Sequence, residues 1–206
     1  MASASLLAAA TFCACDKDEK KDGNSGFSAI PAGDYTVKVE NDSIYNNQVD
    51  TVRLIINSNC YVSAAKYADG GFIIYLPKNV ADSCLEAIGE MGAGVTVSDP
   101  KVKVRRAKLI AYKLGADGGD FYHGTGGGSD AEWVGSLIYA SGDVTITGTF
   151  TDAGKSKVEK YSVKLKKGWN IQYKKETEDE NSEEEVYTTQ APADAKWYFL
   201  PNIVHS

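Results

Sequence analysis

The sequence predicts an all-β fold, an antiparallel β-sandwich with one short helix, and three observations support that prediction. Apolar and polar residues alternate with period two along most of the chain, as in residues 144–150. Turn-forming residues such as Asp69-Gly70-Gly71 interrupt the alternation at short intervals. Only residues 79–89 show helical spacing. About ten short strands of this kind are typical of a sandwich, and a β-barrel is the alternative.

The first 22 residues predict export and attachment to a membrane through lipid. An apolar run of small residues, Ala4 to Ala14, is too short to span a bilayer and ends at Cys15, before the charged tract 16–22. Ala14-Cys15 resembles the cleavage site of a bacterial lipoprotein signal, in which a small residue precedes the lipidated cysteine. That resemblance implies a signal peptide at 1–14, lipid on Cys15, a tether at 15–29 and an outer-membrane location. We expect the cell-surface side, with the periplasmic side as the alternative. An ordinary signal peptide or a short buried helix is the other interpretation of this stretch.

Residues 49–76 predict two successive hairpins. Val52, Leu54 and Ile56 share one face of a strand, and the turn-rich triplet 57–59 leads into a second strand that begins at Cys60. The glycines at 70 and 71 lead to a third strand, 72–76, because glycine supplies the positive φ of a tight turn.

Residues 79–89 predict the helix, and a basic strand follows. In that strand the inward parity switches between Val104 and Ala107, which predicts a β-bulge near Arg105-Arg106. Its basic residues are Lys101, Lys103, Arg105, Arg106 and Lys108. Either they contact an anion or a polysaccharide, or their charge keeps a solvated strand or an edge strand from aggregating.

Residues 115–130 are rich in glycine and predict a long surface loop. The lysine and hydroxyl residue of a phosphate-binding loop do not follow these glycines. Asp117, Asp120 and Asp130 lack the spacing of an EF-hand. We therefore expect no metal ion and no cofactor.

The C-terminal third predicts regular antiparallel strands. After a turn near Gly154, odd-numbered apolar residues run from Tyr161 to Leu165 and on to Trp169. A three-residue hairpin loop at 166–168, with Gly168 in the left-handed conformation, keeps Leu165 and Trp169 facing inward, and one long bent strand is the alternative. The acidic run 176–185 predicts a solvated hairpin tip.

Two short motifs in this third resemble known proteins. Lys167-Gly168-Trp169-Asn170 and the ending Trp197-Tyr198-Phe199 are similar to segments of Bacteroidetes surface lipoproteins with immunoglobulin-like or transthyretin-like folds. The charged tract after Cys15 is also similar to the tether of such lipoproteins. The resemblance implies a related fold and no particular activity.

The cysteines predict one disulfide. Of the four, Cys13 would leave with the signal peptide and Cys15 would carry lipid, so a single domain at 30–206 keeps Cys60 and Cys84. An oxidising compartment permits these two to pair, and two separate buried thiols are the alternative.

Composition and motifs favour binding without catalysis. The net charge of −6 argues against a nucleic-acid partner. Only His123 and His205 are available as imidazole bases, and no Ser or Cys lies in a nucleophile motif. A glycosidase with paired carboxylates remains the third and least favoured class, since two acids that meet in space follow no spacing rule.

A glycan and a protein are the two remaining kinds of ligand. Sugar rings stack on exposed aromatic rings, and Trp133, Trp197 and Tyr198 are the candidates, whereas the phase of Trp169 predicts a core position. The alternative is a protein-protein interaction or adhesion domain of an outer-membrane assembly, with contacts through sheet edges or loops.

Overall fold

The computed structural model describes residues 29–57, 60–127, 131–152, 154, 156–179 and 181–202. The alternating segments form fifteen strands: β1 (Ala29–Ile30), β2 (Gly33–Lys38), β3 (Thr51–Asn57), β4 (Cys60–Lys66), β5 (Gly71–Leu76), β6 (Glu86–Ala87), β7 (Val95–Val97), β8 (Lys103–Lys113), β9 (Ala116–Thr125), β10 (Trp133–Ala140), β11 (Val144–Asp152), β12 (Lys157–Leu165), β13 (Gly168–Asp179), β14 (Ser182–Thr188) and β15 (Lys196–Pro201). The described helical segments are α1 (Asp42–Tyr45) and the 3-10 turns Asn46–Gln48 and Asp82–Cys84.

These strands form two sheets, and the all-β sandwich prediction is confirmed. The large sheet has thirteen strands and follows the order β4-β3-β8-β9-β10-β13-β14-β12-β11-β7, with β1, β6 and β15 attached to β13, β8 and β9. Strands β2 and β5 form a separate antiparallel pair. The path of the large sheet ends at β4 and at β7 without closing on itself, so the barrel alternative is wrong.

A first apolar cluster fills the space between the two sheets. Along β5, Phe72, Ile74 and Leu76 are buried while Ile73 and Tyr75 are exposed, because successive side chains of a strand point to opposite faces. Burying such a side chain contributes about 1.5–3 kcal/mol. The large sheet contributes, among others, Val52, Leu54, Leu109, Phe121, Leu137, Trp169 and Phe199 to this first cluster.

A second apolar cluster lies on the opposite face of the large sheet. Strand β10 contributes to both, since Leu137 and Tyr139 belong to the first cluster and Ile138 and Ala140 to the second. The remaining buried members of the second cluster are Val102, Val144, Ile146, Val163 and Leu165. Strand β10 is therefore covered on both faces.

Strand β8 changes neighbours along its length, and this explains its change of parity. Residues 104–107 pair with β10, and residues 108–112 pair with β3. Val104 packs on the second cluster, while Ala107 and Leu109 lie in the first. The register with β10 is unbroken through Arg105-Arg106, so the predicted bulge there is wrong. The strand lies inside the sheet, so the edge-strand interpretation is wrong too.

The helix predicted for 79–89 is also wrong. The segment contains only the short 3-10 turn and strand β6. Its apolar residues serve different parts of the core, since Leu85 is buried in the first cluster and Ile88 packs on the second. One face of a helix could not pack on both clusters, because they lie on opposite faces of the large sheet.

The glycine-rich loop predicted at 115–130 is instead strand β9 through Thr125. Its glycines permit close approach of neighbouring backbones. A Cβ at Gly119 would lie 2.2 Å from the Leu200 carbonyl oxygen, and one at Gly124 would lie 2.0 Å from that of Trp133. Residues 128–130, and with them Asp130, lie outside the described residues.

The predicted hairpins are confirmed in part. Strands β3 and β4 form a ladder, as do β11 with β12 and β13 with β14. The acidic run forms the β13–β14 tip, although Glu185 is buried. Strand β5, however, leaves β4 after the bridge between Ala68 and Gly71 and pairs with β2 instead.

The predicted three-residue hairpin at 166–168 is wrong, because β14 lies between β12 and β13 in the sheet. Leu165 and Trp169 are both buried, but Leu165 lies in the second cluster and Trp169 in the first. The predicted positive φ of Gly168 is confirmed at 103°.

Candidate functional site

The aromatic residues predicted to bind ligand do not form one site. Trp197 is 6% exposed and lies in the first cluster. Its indole N–H donates a hydrogen bond to the Tyr35 hydroxyl at 3.3 Å, and its ring centroid lies 5.1 Å from that of His123. Sugar stacking needs an exposed ring face, so Trp197 does not fit the role predicted for it.

Trp133 and Tyr198 lie on opposite faces of the large sheet. Trp133 is half-buried against the first cluster. Tyr198 alternates with the inward residues Trp197 and Phe199, and on the outer face its ring stacks on Tyr122 with centroids 5.8 Å apart. One sugar ring cannot stack on both Trp133 and Tyr198, and their ligand roles stay separate predictions.

The predicted disulfide between Cys60 and Cys84 is present. The two Cα atoms are 5.9 Å apart, and the two cysteines are 24 positions apart in the chain. The bridge joins the start of β4 to the 3-10 turn that precedes β6. Cys15, the predicted lipid site, lies outside the described residues, as do the signal peptide and all of the tether except Ala29.

A cleft of about 520 Å³ opens over the second cluster. Its floor is apolar and includes Ile138, Ile146 and Leu165. The segment 86–91 forms one wall, and Tyr161 and Tyr187 form part of another. A cleft of this size, with an apolar floor and a few polar groups, has the character of a small-molecule site.

The two tyrosines of the cleft form a stacked pair. They are cross-strand neighbours because β12 and β14 run parallel with Tyr161 in register with Tyr187. Their ring centroids are 5.0 Å apart with an interplanar angle of 7°. The Tyr161 hydroxyl donates to Glu159 at 2.5 Å and the Tyr187 hydroxyl donates to Glu185 at 2.6 Å. Burial, reinforced by these bonds, raises the pKa of both phenols, so both stay protonated. The hydrogen bonds to Glu159 and Glu185 hold the two rings in place.

Arg106 lies on the other side of Tyr187. Its Nε donates to Gln172 Oε1 at 3.1 Å, and its Cζ lies 5.5 Å from the Tyr187 ring centroid. Strand order places Tyr187 between Arg106 and Tyr161, because β14 lies between β12 and the β8–β10–β13 side of the sheet. None of the described acidic side chains forms an ion pair with Arg106.

The other cations of β8 hold neighbouring acids. Lys103 pairs with Asp82 and Arg105 with Glu86, and both contacts fasten the wall segment to β8. Strand β6 adds backbone pairing to residues 103 and 104. Arg106 therefore differs from its neighbours, since its charge faces the cleft without a described counter-ion.

A network of carboxylates and lysines lies beyond the tyrosine hydroxyls. Glu185 is 5% exposed, accepts a hydrogen bond from Lys174 at 2.6 Å and forms an ion pair with Lys157 at 3.1 Å. Burial alone would raise the pKa of Glu185, but the hydrogen bonds from Lys174, Tyr187 and Lys157 outweigh it and lower that pKa to about 2. At neutral pH Glu185 is therefore a carboxylate and not a proton donor.

Within the part of the chain that the structure describes, this network also contains a group of acids close enough together to hold a metal ion. Glu176, Glu183 and Glu185 are the described residues whose carboxylate oxygens lie within 4.8 Å of one another. The ammonium groups of Lys157 and Lys174 already lie among them, at 2.9 Å from Glu183 and 2.6 Å from Glu176. The lysines thus supply the positive charge that a metal ion would bring.

His123 is half-buried against aromatic rings of the first cluster and does not line the cleft. Its Nδ1 lies 2.8 Å from the Tyr173 hydroxyl, and its ring contacts those of Tyr173 and Trp197. Burial lowers the pKa of His123, so the imidazole is neutral at neutral pH.

The cleft residues were missed in the sequence because they come from distant strands. Arg106 and Gln172 are 66 residues apart, and Tyr161 meets Tyr187 only through a parallel pairing that no local pattern predicts. The one usable signal was the basic strand, for which an anion or polysaccharide contact was one of the two interpretations.

None of the described helices is long and apolar enough to cross a membrane. No protein-family model matches the chain, and no match was found among curated proteins or solved structures.

Proposed function

We propose that this chain is a non-catalytic lipoprotein of the cell surface that binds a glycan in the cleft beside Tyr161 and Tyr187. The stacked tyrosine pair is the observation that carries the proposal. A pyranose ring presents an apolar face of C–H groups, which suits an aromatic ring and the apolar floor of the cleft. Gln172 and Arg106 add polar groups that are able to hydrogen bond with sugar hydroxyls.

The state of the carboxyl groups favours binding over hydrolysis. A glycosidase needs one carboxylic acid whose pKa is raised, so that it is able to protonate the leaving group. Near the cleft, Glu185 has its pKa lowered instead, because two lysines and Tyr187 stabilise the carboxylate. The same lysines hold Glu176 and Glu183.

Two features support a location outside the cytoplasm. The small residue before Cys15 and the charged tract after it resemble a lipoprotein signal. The disulfide between Cys60 and Cys84 suits an oxidising compartment. A binding protein anchored at the surface would hold a glycan close to the cell that exports the protein.

The test is a glycan array probed with the full-length protein in detergent. We expect binding to a defined group of glycans. Tyr161→Ala should abolish it, because the stacking of the sugar ring on the tyrosine pair is lost. Tyr61→Ala is the matched control, since Tyr61 is an exposed tyrosine on β4 and does not line the cleft. Equal loss in both variants, or no binding by the wild-type protein, would reject the proposal.

A protein ligand is the second candidate, and the outer face of β5 favours it. Ile73 is 58% exposed and Tyr75 is 54% exposed, side by side on one face of a strand. A photo-crosslinker placed at position 75 in living cells should then capture a specific surface protein. The same crosslinker at Lys160, an exposed position on β12, is the control.

A further inference from the structure

We infer that the glycan bound in the cleft carries a carboxylate and that Arg106 receives this group. The inference rests on the proposed function, because it specifies the ligand class of the same cleft. It starts from an imbalance of charge in the lining. Arg105 is neutralised by Glu86, whereas no described acid neutralises Arg106.

The contacts of Arg106 hold its side chain while leaving part of it available. The hydrogen bond to Gln172 uses Nε, and the contact with Tyr187 uses the flat guanidinium. The described residues accept no hydrogen bond from its two Nη groups. A guanidinium fork binds a planar carboxylate through two parallel hydrogen bonds, which a neutral sugar hydroxyl cannot match.

The surroundings also fix the direction of the ligand. Glu159 and Glu185 accept hydrogen bonds from the tyrosine hydroxyls. In their network four carboxylates share the ammonium groups of Lys157 and Lys174, so this end of the pair is net negative and repels a negative group. A carboxylate is therefore favoured only at the Arg106 end. The apolar floor and the Tyr161 ring remain for the uncharged part of the glycan.

The experiment first compares four classes of probe on one array: neutral oligosaccharides, oligogalacturonates, sialyllactose and heparin-derived sulfated oligosaccharides. We expect binding of the oligogalacturonates or of sialyllactose, and the array distinguishes these two sources of a carboxylate. Where oligogalacturonates bind, their methyl esters, which lack the charge, should bind at least about ten-fold more weakly. Equal binding of acid and ester would overturn the inference.

Calorimetry with the best carboxylated probe then tests the residue. Arg106→Gln should weaken binding about 10- to 100-fold, because a charge-assisted pair is lost. Arg106→Lys keeps the charge without the fork and should weaken it less. Lys108→Gln is the matched control: it removes one positive charge from the same strand, outside the cleft, and should change affinity less than about two-fold.

The outcomes separate the inference from the proposed function. Binding that depends on Tyr161 but not on Arg106, or binding of neutral or sulfated probes only, overturns the carboxylate assignment and leaves glycan binding standing. A wild-type protein that binds none of the four classes overturns both. Unchanged thermal melting of each variant shows that a lost affinity does not reflect unfolding, and Arg106→Lys decides the question where Arg106→Gln does not fold.

Discussion

His123 shows how its surroundings, which the sequence does not reveal, set the chemistry of a single residue. The ordinary pKa of histidine, 6.5, applies to the unfolded chain, while burial among Tyr173 and Trp197 lowers the pKa in the folded protein. Between these two values the unfolded chain binds more protons than the folded one. The free energy of unfolding should therefore fall as the pH falls from above 6.5 through the folded pKa.

Denaturant titrations between about pH 7.5 and about pH 5.5 measure this dependence. In His123→Phe the unfolding free energy should change less with pH over that interval, because the group that titrates differently in the two states is gone. The variant retains His205, so a difference between the two slopes belongs to His123. Identical slopes would show that burial does not shift the pKa of His123.

Gly168 is a second residue whose role is conformational. Its φ is 103°, and a Cβ placed there would meet nothing within 4 Å. Any cost of a side chain at this position is therefore due to the backbone and not to a collision. We expect Gly168→Val to lower the unfolding free energy by about 1–3 kcal/mol, and Gly168→Asn, which tolerates positive φ better, to cost clearly less.

Gly118→Ala is the control for Gly168. Gly118 has no positive φ, and a Cβ there would lie at ordinary contact distances of 3.5 Å or more. That substitution should change stability by less than about 0.5 kcal/mol. A similar cost for Val and Asn at position 168 would contradict the conformational explanation.

Among the elements, the disulfide has a specific task in this fold. Cys84 lies two residues before the segment 86–91, which forms a wall of the cleft, and the bridge to Cys60 ties that segment to β4. Replacing both cysteines by alanine should lower the unfolding free energy by up to about 3.5 kcal/mol, the chain-entropy value for a loop of this length. Hydrogen exchange should speed up in residues 82–91 more than in β10.

The bridge itself is checked by intact mass. Alkylation of the exported protein under denaturing, non-reducing conditions should add no label to Cys60 or Cys84. Two adducts on these residues would contradict the bridge. Equal exchange rates for residues 82–91 in the wild type and in the double variant would show that the ion pairs to β8 suffice to hold the wall.

The elements that the sequence predicted correctly depend on local contacts. The β3–β4, β11–β12 and β13–β14 hairpins each join neighbouring segments through a short turn. The failures lie where distant strands decide. Residues 79–89 have helical spacing because their apolar side chains face two different clusters. The glycines of β9 allow the backbones of β10 and β15 to approach closely and do not mark a flexible loop.

At the scale of the whole molecule, the cleft exists because the large sheet is covered on both faces. The first cluster uses one face of β10 and the second cluster uses the other, so the strand contributes to the core and to the floor of the cleft at once. Periodicity along one strand identifies its alternating faces but not what covers each face. For this reason the sequence identifies Arg106 as part of a basic strand but does not predict its position beside Tyr187.

The last prediction concerns the cellular location of the molecule and rests on Cys15. A small residue before it and a charged tract after it predict that Cys15 becomes the lipidated N-terminus, and the folded part already begins by Ala29, which pairs with Asn170. A tether of this length would keep the cleft in solution near the membrane. Metabolic labelling with a fatty acid should therefore mark the wild-type protein and not Cys15→Ala.

Cys13→Ala is the matched control and should keep the label, because Phe12 is a poor residue to precede a cleavage site. Equal labelling of wild type and Cys15→Ala would reject the lipid anchor at Cys15. The cleft would then bind its glycan in a protein that Cys15 does not hold at the membrane.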